Sequence, residues 1–253
     1  MPSYTICFLS LKKEMNPMNE NSILIDLEKI SHPNLISAMQ KRYPNFRVLG
    51  IPLGTLRPMA KKMGIQHELG VSLYQTNCVE AMFLGCMIMD PKRLSMHEIE
   101  KYAIAARSTS IMDQGLTTLI EGSSDYEMIL KTWYQSSDEH LRCAGYVLYS
   151  SYFRSYPLDD MNISLGIHIL EIIQKNLSEE SLPIQNAMNN AVVMAGLHVP
   201  DLVDLAIEVA KHIGYVLPRV RKNQCNIQSA HEYIIRYSNQ PNYSRVAKLK
   251  LKP

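Results

Sequence analysis

The stretch Asp201-Leu-Val-Asp-Leu-Ala-Ile-Glu-Val-Ala-Lys-His-Ile213 sets Leu202, Leu205, Ala206, Val209, Ala210 and Ile213 three and four residues apart. That spacing puts them on one side of an α-helix. Read outward, the same period recurs and strand-type alternation is nearly absent after residue 20, so the sequence predicts an all-α protein. Upstream, Ile184, Ala187, Met188, Ala191 and Ala195 form a second stripe, and Leu141, Ala144, Gly145, Leu148 and Tyr152 a third, opened by Asp138. Met161 to Ile173 is apolar on more than one face, as expected of a helix packed on both sides. Ser95-Met-His-Glu98 has the reciprocal spacing of a capping box and leads into Ile99, Tyr102, Ala103 and Ala106. Tyr126 to Tyr134 reads as a further helix. Earlier helices are expected over Leu53 to Met63 and Val79 to Asp90, the latter with a one-sided stripe, after a first pair broken at His32-Pro33. Ala230 to Tyr237 is the last.

The later helices are expected to begin near residues 138, 159, 183 and 200, which makes a helix pair roughly 40 to 45 residues long, the HEAT range. Such pairs bury their stripes against their neighbours. The sequence therefore predicts a right-handed or curved α-solenoid of HEAT-like (ARM/HEAT) repeats with a concave groove. Residues 21–238 are expected to form one repeat domain, between a flexible tail over 1–20 and a basic tail over 239–253.

Composition narrows the function classes. The chain has 253 residues, 46% of them hydrophobic and 20% charged, which is ordinary for a globular protein. Its net charge of +2 names no partner, so nucleic-acid binding would need a local basic face. Cys7, Cys78, Cys86, Cys143 and Cys225 are irregularly spaced with no C-x-x-C pair, which fits reduced thiols in a cytoplasmic protein and neither a disulfide framework nor a zinc cluster. No apolar run is long enough for a membrane span. Met15 and Met18 follow the apolar run Tyr4 to Leu11, as in a start extended beyond the folded part. A monomer without cofactor or metal is expected.

Few residues carry candidate chemistry. In Arg107-Ser-Thr-Ser-Ile-Met-Asp-Gln-Gly-Leu116, Ser110 and Asp113 have the S-x-x-D spacing of a helix start, which makes Asp113 a weak catalytic candidate and more readily a cap. His140 and Cys143, three apart, could touch, but no orienting acid follows. His67-Glu68, His97-Glu98 and His231-Glu232 each lack the second His of H-E-x-x-H, and no phosphate-binding glycine loop is present. Gln185, Asn186, Asn189 and Asn190 are placed opposite an apolar stripe, where amides could meet phosphate or sugar oxygens. Arg219, Arg221 and Lys222 form the densest basic cluster, with Arg57, Lys61, Lys62, Arg107, Arg142 and Arg154 as scattered partners and Asp159-Asp160 and Glu179-Glu180 opposing them.

Met112-Asp-Gln-Gly-Leu116 resembles an altered form of the Trp-Asp-x-x-Asp motif of the AlkD-like DNA alkylation repair family, HEAT-like repeat DNA glycosylases. So aligned, the family's aromatic falls on Met112, its first Asp on Asp113 and its catalytic Asp on Leu116. Lys131 to Ala144 is similar to a family stretch in which Trp133 and Arg142 are kept, while a second Trp reads His140 and a second Arg reads Cys143. Ile184 to Asn190 resembles another family segment, with Asn190 at an aromatic position, and Phe46 to Lys62 a turn and helix near the family's start. The resemblance covers roughly residues 35 to 235. It implies a DNA-binding groove containing Met112, His140 and Cys143, with Arg142, Arg154, Asn186, Asn190, Arg219, Arg221 and Lys222 as candidate contacts to double-stranded DNA. It also implies alkylpurine glycosylase activity weakened or lost with the acid. An active monofunctional glycosylase and a protein-binding repeat scaffold are the alternatives.

Overall fold

The computed structural model describes residues 19–107, 109–216 and 227–251. It divides into two compact units, the first ending at Ile88 and the second beginning at Met89. Among the described residues the structure is helical apart from turns and one isolated parallel bridge between Arg47 and Cys78.

The first unit holds α1 (Glu20–Lys29), α2 (Pro33–Arg42), α3 (Leu53–Met63), α4 (His67–Tyr74) and α5 (Val79–Ile88). Asn19 and Ser22 cap α1 reciprocally. The one-sided stripe expected of α5 is too narrow: all its residues but Met87 are buried, because the helix runs through the middle of the unit. Glu80 on this helix is fully buried, and its two carboxylate oxygens accept the consecutive N–H groups of Leu49, Gly50 and Ile51 at 2.8–3.1 Å. Gly50 sits at φ +77°, a left-handed conformation that lets the three donors converge.

The second unit holds α6 (Met96–Ala106), α7 (Thr109–Ile111), α8 (Thr117–Glu121), α9 (Tyr126–Thr132), α10 (Glu139–Ser155), α11 (Ile163–Asn176), α12 (Leu182–His198), α13 (Val203–Ile213), α14 (Ala230–Tyr237) and α15 (Arg245–Leu249). The Ser95–Glu98 capping box and the Asp138 cap form as the sequence predicts. α10 packs chiefly on α12, and α11 on α13, so like helices of successive pairs stack on one another. In contrast to its expected two-sided burial, α11 buries Gly166, Ile169, Leu170 and Ile173 and leaves Ile167 exposed, which places it in the outer row. Within the basic tail, Ser244 is buried, donates to the Leu197 carbonyl at 2.9 Å and caps α15.

The position of α10 is set by Gly145. Its backbone lies so close to the turn after α9 that an added Cβ would fall 2.8 Å from the Trp133 carbonyl carbon and would also meet the Tyr134 nitrogen. Both are backbone atoms, which cannot rotate aside. Gly145→Ala is expected to lower the unfolding free energy by about 3 kcal/mol, the upper part of the range for overpacked cores. Urea denaturation checks this, and a change below about 1 kcal/mol would show that the turn yields more readily than the packing implies.

Candidate nucleic-acid interface

The stretch 109–121 is one helical run interrupted by a π-helical turn over Met112–Leu116. Thr117 explains it: both its N–H and its hydroxyl donate to the Met112 carbonyl, the latter at 2.8 Å, drawing in a partner five residues back. Single π turns inside α-helices are frequent at functional sites. Ser110 thus lies within the run and not at its start, so the expected Ser110–Asp113 cap does not form. The turn buries Met112, Gly115 and Leu116 and leaves Asp113 half-exposed. Leu116, at the position the resemblance assigns to the family acid, has no exposed surface.

The three groove residues named from the resemblance do come together. Met112, His140 and Cys143 line one cavity of about 140 Å³ whose wall also carries Arg107, Glu139 and Ser181 and the apolar Ala103, Ala144, Val147, Pro183 and Ile184. Arg107, which ends α6, is held at φ +41° in the left-handed region, a strained conformation for a non-glycine residue. His140 is exposed and its N–H donates to Asp138 as part of the α10 cap. The Cys143 thiol points to the Pro183 carbonyl at 3.7 Å and not into a nucleophile pair with His140. Burial, reinforced by Glu180, pushes that thiol up to about 12, against the pull of Arg142. A protonated thiol is a poor nucleophile.

Two charged candidates are already committed. Arg142 donates from Nε and Nη2 to the two carboxylate oxygens of Glu180 at 2.9 and 3.1 Å, and from Nη1 to the Ser136 carbonyl at 2.6 Å. Its fork is saturated, so it braces the start of α12 against α10 and is not offered to a phosphate. Arg154 faces Asp113 at 3.5 Å, with both side chains partly in solvent. Asp113 is therefore an ion-pair partner of a cation in the same face.

The four amides of α12 do not share one face. Asn189 is fully buried, donating to the Ile227 carbonyl and accepting from the Ala230 N–H, so it ties α14 to α12. Gln185 donates to the Glu180 carbonyl. Asn186 and Asn190 remain, half-buried, and their Oδ1 atoms accept no hydrogen bond from the protein. With Met194 and His198 they recur every fourth residue along one side of the helix. At its end, burial and then Arg154 and Arg245 lower His198 to about 4, so its imidazole is neutral at pH 7. Periodicity missed Arg245, which is carried on α15 and donates to the Tyr156 carbonyl at 2.8 Å. Arg219, Arg221 and Lys222 lie outside the described residues, and Arg57, Lys61 and Lys62 belong to the first unit.

A HEAT-like stack bearing a small cavity, two half-buried amides and a cationic end defines a helical-repeat protein. The family model described as DNA alkylation repair enzyme matches residues 23–237, and the chain belongs to that family. It is 26% identical over 222 residues to an uncharacterised protein of Listeria innocua serovar 6a, covering 86% of this chain and 96% of the relative. It is 25% identical over 219 residues to an uncharacterised protein of Listeria monocytogenes serovar 1/2a, covering 85% and 95%. Among solved structures it matches, with a TM-score of 0.81 and 22% identity over 90% of this chain and 98% of the other, a protein described as one of a new family related to the HEAT-like repeat DNA glycosylases with affinity for branched DNA structures. That likeness establishes the all-α HEAT-like repeat fold.

The environment of Cys143 sets its reactivity. Its raised pKa leaves little thiolate at pH 8, so alkylation by iodoacetamide, followed by peptide mass mapping of Cys143, is expected to be more than about a hundredfold slower than for a free cysteine. The rate should climb as pH rises toward the elevated pKa, and rapid labelling at pH 7 would contradict the buried thiol.

Proposed function

We propose that this chain is a DNA-backbone-binding member of the alkylation repair family, with a preference for branched DNA and with weak or no alkylpurine glycosylase activity. One observation carries the reading: Leu116 is sealed in the π-helical turn while Asp113, the carboxylate beside it, faces a cation. Hydrolysis of an N-glycosidic bond in this family is implied to need an acid that stabilises a cationic sugar, and loss of such a preorganised group commonly costs on the order of a hundredfold or more in rate. Leu116 can supply no charge. Asp113 is held by Arg154, which cancels much of its field. What the face retains is suited to backbone contact: Arg245 for phosphates, with Arg154 partly masked by Asp113, and the Nδ2 donors of Asn186 and Asn190 for phosphate or sugar oxygens. The affinity for branched DNA described for the structural relative supports junctions as the substrate class.

Incubation with a duplex containing a methylated purine is expected to release base at the background rate. Release well above background, abolished by Asp113→Asn, would restore the glycosylase reading. Binding is expected to be tighter for a four-way junction than for a linear duplex of the same sequence, and to weaken steeply with salt. Absence of binding even at low salt would leave the protein-scaffold reading in its place.

Asp113→Asn separates the two roles of the carboxylate by sign. Freeing Arg154 adds one phosphate-neutralising cation, so junction affinity should rise about threefold at 0.1–0.2 M salt, with the salt dependence steepening by nearly one unit. A fall in affinity would show that Asp113 supports the interface and does not oppose it.

A further inference from the structure

Residues 238–251 lie beyond the stretch matched by the family model, yet Ser244 and the buried Ala247 hold them in place. This docking sets Tyr243 against Tyr237, with ring centroids 4.5 Å apart and planes tilted by 37°. One helical turn earlier on α14, Tyr233 meets Tyr237 at 4.4 Å and 44°. The Arg236 guanidinium lies 5.5 Å from the Tyr237 ring centroid. Tyr243, at the outer end of the row, is 49% exposed.

The charge along this part of the chain is one-sided. From residue 230 to 250 the chain carries Arg236, Arg245, Lys248 and Lys250 against the single carboxylate of Glu232, which accepts from the Tyr215 hydroxyl. Aromatic rows flanked by cations are the chemistry that binds unpaired nucleotides, whose bases stack on rings while their phosphates meet the cations. A protein-docking patch would instead be depleted of lysine.

We infer that the exposed ring of Tyr243, backed by Tyr237 and Tyr233 with Arg236 beside them, forms a stacking platform for unpaired DNA nucleotides, whose phosphates would meet the exposed Lys248 and Lys250. This rests on the DNA-binding reading and specifies it: a junction presents strained or unpaired bases that a continuous duplex does not, and this surface would engage them.

The test uses the full chain, a labelled short oligothymidylate and a blunt duplex. Tyr243→Ala is expected to weaken oligothymidylate binding roughly five- to hundredfold, the range for loss of one stacked base. Tyr243→Phe, which keeps the ring, should bind as the parent does, and duplex affinity should be unchanged in both. Circular dichroism melts confirm that each variant folds. Oligothymidylate binding unchanged in the alanine variant, equal losses in both variants, or a parallel loss on duplex would each overturn the platform. If the parent binds duplex and not oligothymidylate, the platform fails while the backbone-binding reading stands; if it binds neither, both fail.

Discussion

The second unit depends on the backbone approach at Gly145. With no side chain at that position, α10 settles onto the turn after α9, and this fixes both the height and the rotation of the helix. Its rotation then sends Tyr146, Tyr149, Tyr152 and Phe153 inward, where Tyr149 donates to the Leu130 carbonyl at 2.8 Å. The opposite edge is left with His140, Cys143 and Arg154. Since α12 packs alongside, held by the Arg142–Glu180 fork at its start, a small displacement at Gly145 would propagate to the cavity and to the Arg154–Asp113 pair alike. Close packing makes interiors transmit strain and not absorb it.

The first unit solves a comparable problem with charge. Glu80 places a carboxylate where three successive backbone N–H groups would otherwise be buried without acceptors, each a loss of roughly 1–3 kcal/mol. The turn around Gly50 is thereby specified by a single side chain about thirty residues away in sequence. Because its two oxygens can each accept more than one hydrogen bond, this one side chain can hold a loop that has no regular secondary structure of its own.

Much of the scaffold was readable from local pattern. Stripes at helical spacing located α6, α10, α12 and α13, and the capping box at Ser95 and the cap at Asp138 were correct because these are contests among neighbouring residues. The misreadings share a cause. The Ser110–Asp113 spacing matches a helix start, but Thr117 captures the Met112 carbonyl and converts the stretch into a continuous run with a π turn. Asn189 sits among amides that look alike in sequence, yet only its side chain meets Ile227 and Ala230, some forty residues on. Arg142 and Arg154 were indistinguishable as cations until the folded chain gave one a saturated fork and the other a single longer contact. Periodicity reports which side of a helix faces the core; it carries no record of a partner supplied by a distant element.

The backbone around Leu116 is not regular α-helix. Burying Leu116 completely contributes about 1.5–3 kcal/mol, whereas an ionised acid there would have needed a dedicated partner. Arg107 is left-handed and Met112–Leu116 is π-helical, and a left-handed non-glycine residue costs of order 1–3 kcal/mol. Both flank the same cavity, with Met112 and Arg107 in its wall. The strain at Arg107 persists because the packing around the cavity that Arg107 and Met112 line holds it there.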